Sequence, residues 1–82
     1  MKKLSEAKRK VEAETEVARD AGGAYFRAHP KAVEAVVLLA AERRYGGADD
    51  LHRYWGFYEG FRMARAVHDE YLREQREFES KP

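Results

Sequence analysis

Residues 54–64 read Tyr54-Trp55-Gly56-Phe57-Tyr58-Glu59-Gly60-Phe61-Arg62-Met63-Ala64, and this stretch decides the fold. Two features are superimposed in it. Five aromatic residues fall within eight positions and, at about 100° per residue, surround a helix instead of forming one stripe. Gly56, Gly60 and Ala64 recur every fourth residue, a track of small side chains along which a second helix can come close. Each interior glycine costs about 1 kcal/mol of helix stability, so close packing is expected to offset it.

Outward from this stretch the helix has no breaker before the C-terminus, which predicts an element over about 50–78 with Asp49 or Asp50 as N-cap. Tyr54, Phe57, Phe61, Ala64, His68, Tyr71, Gln75 and Phe78 are spaced alternately by three and four, the seam of a heptad repeat interrupted by two polar residues. Upstream, Gly46-Gly47 closes a second helix expected over 30–45, with Pro30 at its first position. Its Val33, Val36, Val37, Ala40 and Ala41 form one face that Leu38 and Leu39 widen, so it is expected to be the buried central helix. The first helix begins near Ser5 and carries Leu4, Ala7, Val11, Ala18 and Ala21 on a narrow face. Gly22-Gly23 end it at 21, or it runs on through Tyr25 to Ala28, where Pro30 stops it.

The chain is therefore expected to be a single all-α domain over 1–82, a small three-helix bundle with a long C-terminal helix. Isoleucine and asparagine are absent, threonine occurs once, and no run alternates with period two, so strands lack material. Of 36 apolar residues 13 are alanine, which leaves a thin core. A helix of about 28–30 residues is roughly 42–45 Å long, whereas an 82-residue globule is only about 30 Å across. The third helix overshoots such a body, and its apolar end calls for a second chain.

Composition narrows the function classes. Sixteen Lys and Arg against 15 Asp and Glu give +1, so bulk charge does not point to a polyanion. With no cysteine there is neither a disulfide framework nor a thiolate site, and Ala35 to Ala41 is too short to span a membrane. Met1 to Lys10 is basic with no apolar segment behind it, unlike an export leader, and a soluble cytoplasmic protein is expected.

Candidate chemistry is sparse. Asp49 and His52 share a helix face but offer two ligands where a metal site needs three or four. His68, Asp69 and Glu70 are consecutive and cannot converge. Ser5, Thr15 and Ser80 have no activating surroundings, although an assembly could gather Arg44, His52, Arg53 and Tyr54 around a shared cleft. No enzyme, metal or cofactor is expected.

The sequence instead predicts a small protein-interaction module, a regulator, inhibitor or assembly factor, that pairs with itself and with another protein. The expected interface comprises Tyr54, Trp55, Gly56, Phe57, Tyr58, Gly60, Phe61, Arg62, Ala64, Arg65, His68, Tyr71 and Phe78, its glycines permitting close approach and its arginines setting orientation. The alternative within one chain places the aromatics in the core and the glycines against the second helix. A different alternative is a nucleic acid held by Lys2, Lys3, Lys8, Arg9 and Lys10, a basic start that Glu12, Glu14, Glu16 and Asp20 largely cancel.

Overall fold

The computed structural model describes residues 2–46 and 50–80, and among these the chain is all α: α1 Lys2–Ala28, α2 Glu34–Tyr45 and α3 Leu51–Ser80. α1 and α3 lie side by side and parallel, because their contacts rise together along both helices. Glu14 meets His52, Ala18 faces Gly56, Arg19 faces Gly60, and Phe26 reaches His68. α2 supplies the return between them.

Close approach of two backbones holds the pair. A β-carbon added at Gly22 would sit 1.9 Å from the carbonyl oxygen of Phe57 and 2.9 Å from the amide nitrogen of Phe61. One added at Gly60 would sit 2.1 Å from the carbonyl oxygen of Arg19. Gly56 is nearly as tight, its absent β-carbon 3.0 Å from the carbonyl of Thr15 and 3.3 Å from Ala18 Cβ. No side chain can occupy such gaps, so glycine is required at 22 and 60 for van der Waals contact over this length. α1 accordingly runs unbroken through Gly22-Gly23.

The glycine track is thus filled from α1 of the same chain, where the sequence suggested a second chain or the second helix. Gly56, Phe57, Gly60 and Phe61 are buried in this way and are not available to a partner in this arrangement. On α1 the covered line is Ala18, Gly22 and Phe26, while Ala7 and Val11 lie exposed before it.

α2 is shorter and more peripheral than the sequence suggested. His29 still donates its amide to the Tyr25 carbonyl at 2.8 Å and sets its ring against Tyr25 at a tilt of 40°, with centroids 4.6 Å apart. His29 to Ala32 form a turn, so Pro30 lies in that turn and the helix restarts at Glu34 after the extended Val33. Only Val37 and Ala41 of α2 are buried; Val33, Val36 and Leu39 face outward, because the close fit of α1 on α3 leaves α2 the flank. Gly46 ends α2 in the left-handed region at φ 76°, a conformation in which any β-carbon is strained. Its amide donates to the Glu42 carbonyl at 2.8 Å and so closes the last turn.

Phe26, Val37, Ala41, Phe57 and Phe61 form the core, with Tyr25, Tyr45, Tyr54 and Tyr58 around it. Phe26 and Tyr45 both meet the phenylalanines of α3 edge-on, at centroid distances of 5.4 and 6.0 Å, so each helix places an aromatic on one cluster. The whole measures 61 × 28 × 14 Å, with a radius of gyration of 16.2 Å against about 12 Å for a spherical chain of this length.

Paired substitutions test the backbone contact. Gly22→Ala gains helix propensity yet forces the helices apart, and should lower stability by about 1–3 kcal/mol in thermal or urea unfolding. At Gly23 the added carbon would meet only Arg27 and Ala64, 3.8 and 3.9 Å away, so Gly23→Ala should raise stability by up to about 1 kcal/mol.

Candidate interaction surface

Two regions of α3 remain open. The first follows from where α1 stops. On α3 the line that faces α1 runs through Gly60 and Ala64 and continues at helical spacing through Val67, Tyr71 and Phe78, but α1 ends at Ala28. Val67, Tyr71 and Phe78 are therefore left 69%, 55% and 81% exposed. Phe26, at the end of α1, closes one side of an apolar groove whose floor and far wall are Met63, Ala64, Val67, His68 and Tyr71. His68 stands on its rim, edge-on to Phe26 at 5.4 Å. Further along, Tyr71 and Phe78 enclose a smaller depression with Glu74, Gln75 and Glu79.

The second region lies on the side of α3 turned away from α1. Trp55, half exposed, packs edge-on against Tyr54 and Tyr58 at 5.0 and 6.0 Å. Arg62 stands over the Tyr58 ring at 5.7 Å, and Met63 and Ala66 extend the patch. Tyr58 donates its hydroxyl to Glu34 of α2, and that bond to a carboxylate holds its phenol above the ordinary pKa. Arg65 lies over Phe61 at 5.8 Å and shields the core from solvent.

Of the residues the sequence singled out, the structure brings Tyr54, Trp55, Tyr58 and Arg62 together on the outer patch and His68, Tyr71 and Phe78 along the open seam. Ala64 is half-buried between Gly60 and the groove. Met63 and Val67 were missed. Their signal was present, since Met63 and Val67 lie three and seven residues after Gly60 and so near its face of the helix, but the heptad reading assigned those turns to Ala64 and His68.

The cluster richest in chemical groups joins the start of α3 to α1. His52 Nε2 donates to Glu14 Oε2 at 2.8 Å and lies 3.6 Å from Asp50 Oδ1; Arg53 reaches Glu14 at 3.0 Å and Asp50 at 3.2 Å. Asp49, which the sequence pairs with His52, lies outside the described residues. Donor atoms of Glu14, Asp50 and His52 fall within 4.8 Å of one another, a set that residue type alone would allow on a divalent cation. The guanidinium of Arg53 already bridges both carboxylates, however, so a cation would have to displace it. The cluster is a clamp between helices, supported further along by Arg19 and Glu59 at 3.4 Å. Arg44 and Arg53 do share a depression, but Ala13, Val17 and Ala18 make up much of its wall.

No protein-family model, curated protein or solved structure matches the chain. No helix among the described residues is long and apolar enough to cross a membrane.

The clamp has a pH signature. The His52 hydrogen bond, aided by Arg53, holds the Glu14 carboxyl below the ordinary carboxylate range. A depressed folded-state pKa contributes stability that is present above the unfolded value and lost as pH falls through the folded one. Melting temperature should therefore drop from about pH 4 downward, and Glu14→Gln should flatten that acid limb while lowering the melting temperature at about pH 7.

Proposed function

We propose that this chain is a non-enzymatic protein-interaction module that works as an oligomer, with the uncovered half of α3 as its self-association surface and the Trp55 patch as the surface for another protein. One observation carries the reading: the line of α3 that holds α1 goes on past the end of α1 as Val67, Tyr71 and Phe78, with no described element of the chain over it. An isolated helix of that length with such a face is marginal in water, so a partner supplies the missing burial. Trp, Tyr and Arg gathered at the outer patch are the residue types that dominate binding hot spots. The non-enzymatic part of the reading rests on the Glu14, Asp50 and His52 cluster, whose groups are committed to Arg53 and to bridging α1 and α3.

A nucleic-acid partner is the second reading, favoured by the exposure of Lys8, Arg9 and Lys10 at one end of the rod. Pull-down from native extract with and without nuclease separates the two, since a protein partner survives the treatment.

Sedimentation over a dilution series tests self-association. The species should exceed the mass of one chain at high concentration and dissociate on dilution. Replacing Tyr71→Glu and Phe78→Glu together should leave helicity by circular dichroism largely intact and shift the protein to the monomer. A compact monomer for the unmodified chain at every concentration would remove the reading.

A further inference from the structure

Because α1 and α3 are parallel and staggered, each leaves an uncovered length at the opposite end of the rod. α1 residues 2–13 precede the first cross-link, Glu14 to His52, and α3 residues 69–80 follow the last, Phe26 to His68. Both overhangs are twelve residues, about 18 Å. Their charges are opposite. Residues 2–13 hold five cations and two carboxylates, net +3, whereas 69–80 hold five carboxylates and two cations, net −3.

Each charge also opposes its own helix dipole. α1 has no acidic residue in its first turn and starts with Lys2-Lys3, while α3 has no basic residue in its last turn and carries Glu77 and Glu79 there. The partial positive charge of a helix N-terminus repels cations, and the partial negative charge of a C-terminus repels carboxylates. Among the described residues no other helix lies along either end, whereas a basic head laid along an acidic tail relieves both.

We infer that the second copy seats its α1 head on the exposed α3 tail of the first, head to tail, continuing the parallel pairing of α1 with α3 across molecules. This rests on the self-association reading above and gives it a polarity. Ala7 and Val11, exposed on α1, lie on the same line as Ala18 and Gly22 and supply the apolar side facing Tyr71 and Phe78. Lys8 and Lys10 then flank Glu74 and Glu79. Two tails packed together would set −3 against −3, and two heads +3 against +3, so charge disfavours two-fold dimers that join like ends. An antiparallel two-fold pair would join unlike ends but would run α1 against α3, opposite to their pairing within the chain. A head-to-tail contact does not close on itself, and repetition yields an open chain, or a ring if the rotation closes. α2 does not stand in the way, since Tyr45 and Glu34 pack beside Phe57 and Tyr58, well before the tail.

A charge exchange tests this on nuclease-treated protein. Lys8→Glu with Lys10→Glu turns the head from +3 to −1, and Glu74→Lys with Glu79→Lys turns the tail from −3 to +1. All four side chains are exposed, so folding, checked by circular dichroism, should persist. The unmodified chain should grow with concentration past the dimer in sedimentation, and salt should weaken it. Each double variant alone should associate at least about tenfold more weakly. Mixed in equal amounts, the two variants should recover assembly, because every contact then joins opposite charges. A discrete dimer that grows no further with concentration, or variants that fail to complement when mixed, would overturn the head-to-tail contact yet leave self-association standing. A monomer at all concentrations would remove both. Assembly seen only before nuclease treatment would overturn the contact in favour of a nucleic-acid tether.

Discussion

The contact between the backbones of α1 and α3 at Gly22, Gly56 and Gly60 is the constraint on which the rest depends. A chain with this little apolar volume cannot hold two long helices together through a conventional layer of large side chains. Removing side chains at the crossing instead brings peptide groups and Cα atoms into direct contact, so dispersion accumulates over several turns without much volume. The phenylalanines then close the upper end of the crossing, with Phe26 from α1 set against Phe61 from α3. The lower end is closed by charge, through Glu14, His52 and Arg53. Each mechanism does what the local residues allow: small residues in the middle, aromatic rings at one end, ion pairs at the other.

Geometry at the crossing also dictates what is left over. Helix axes so close leave α2 no room between them, which is why a segment as apolar as Val33 to Ala41 ends up on a flank with much of it in water. Since α1 and α3 point the same way but are offset, the apolar line of α3 outlasts its partner. The uncovered seam is thus a result of register and not of a surplus of hydrophobic residues. The same register places the basic segment 2–13 and the acidic segment 69–80 at opposite extremities of one rod.

Local signals in the sequence were enough for the helices and for the small-residue track, because glycine spacing, proline and helix-forming composition act within a few residues. They placed α3 within two residues at its ends and its small residues on one line. What they could not show was which helix fills that line. The matching face on α1, Ala18 and Gly22, looks like a breaker next to a weak stripe when read alone, and gains meaning only opposite Gly56 and Gly60. Pro30 misled for a related reason: it suits a first helical turn, but the His29 amide closes on the Tyr25 carbonyl at the end of α1 and the Ala32 amide closes on His29, which makes the proline part of a turn. Glu14 as the partner of His52 was invisible as well, since 38 residues separate them.

That separation has a kinetic side. The contacts that define the fold join positions about forty apart, and α2 with its two connections must be traversed before any of them can form. Closing so long a segment costs entropy that is recovered only when the helices dock. During synthesis α1 leaves the ribosome with its glycine face bare, and it stays so until the first half of α3 has emerged to meet it.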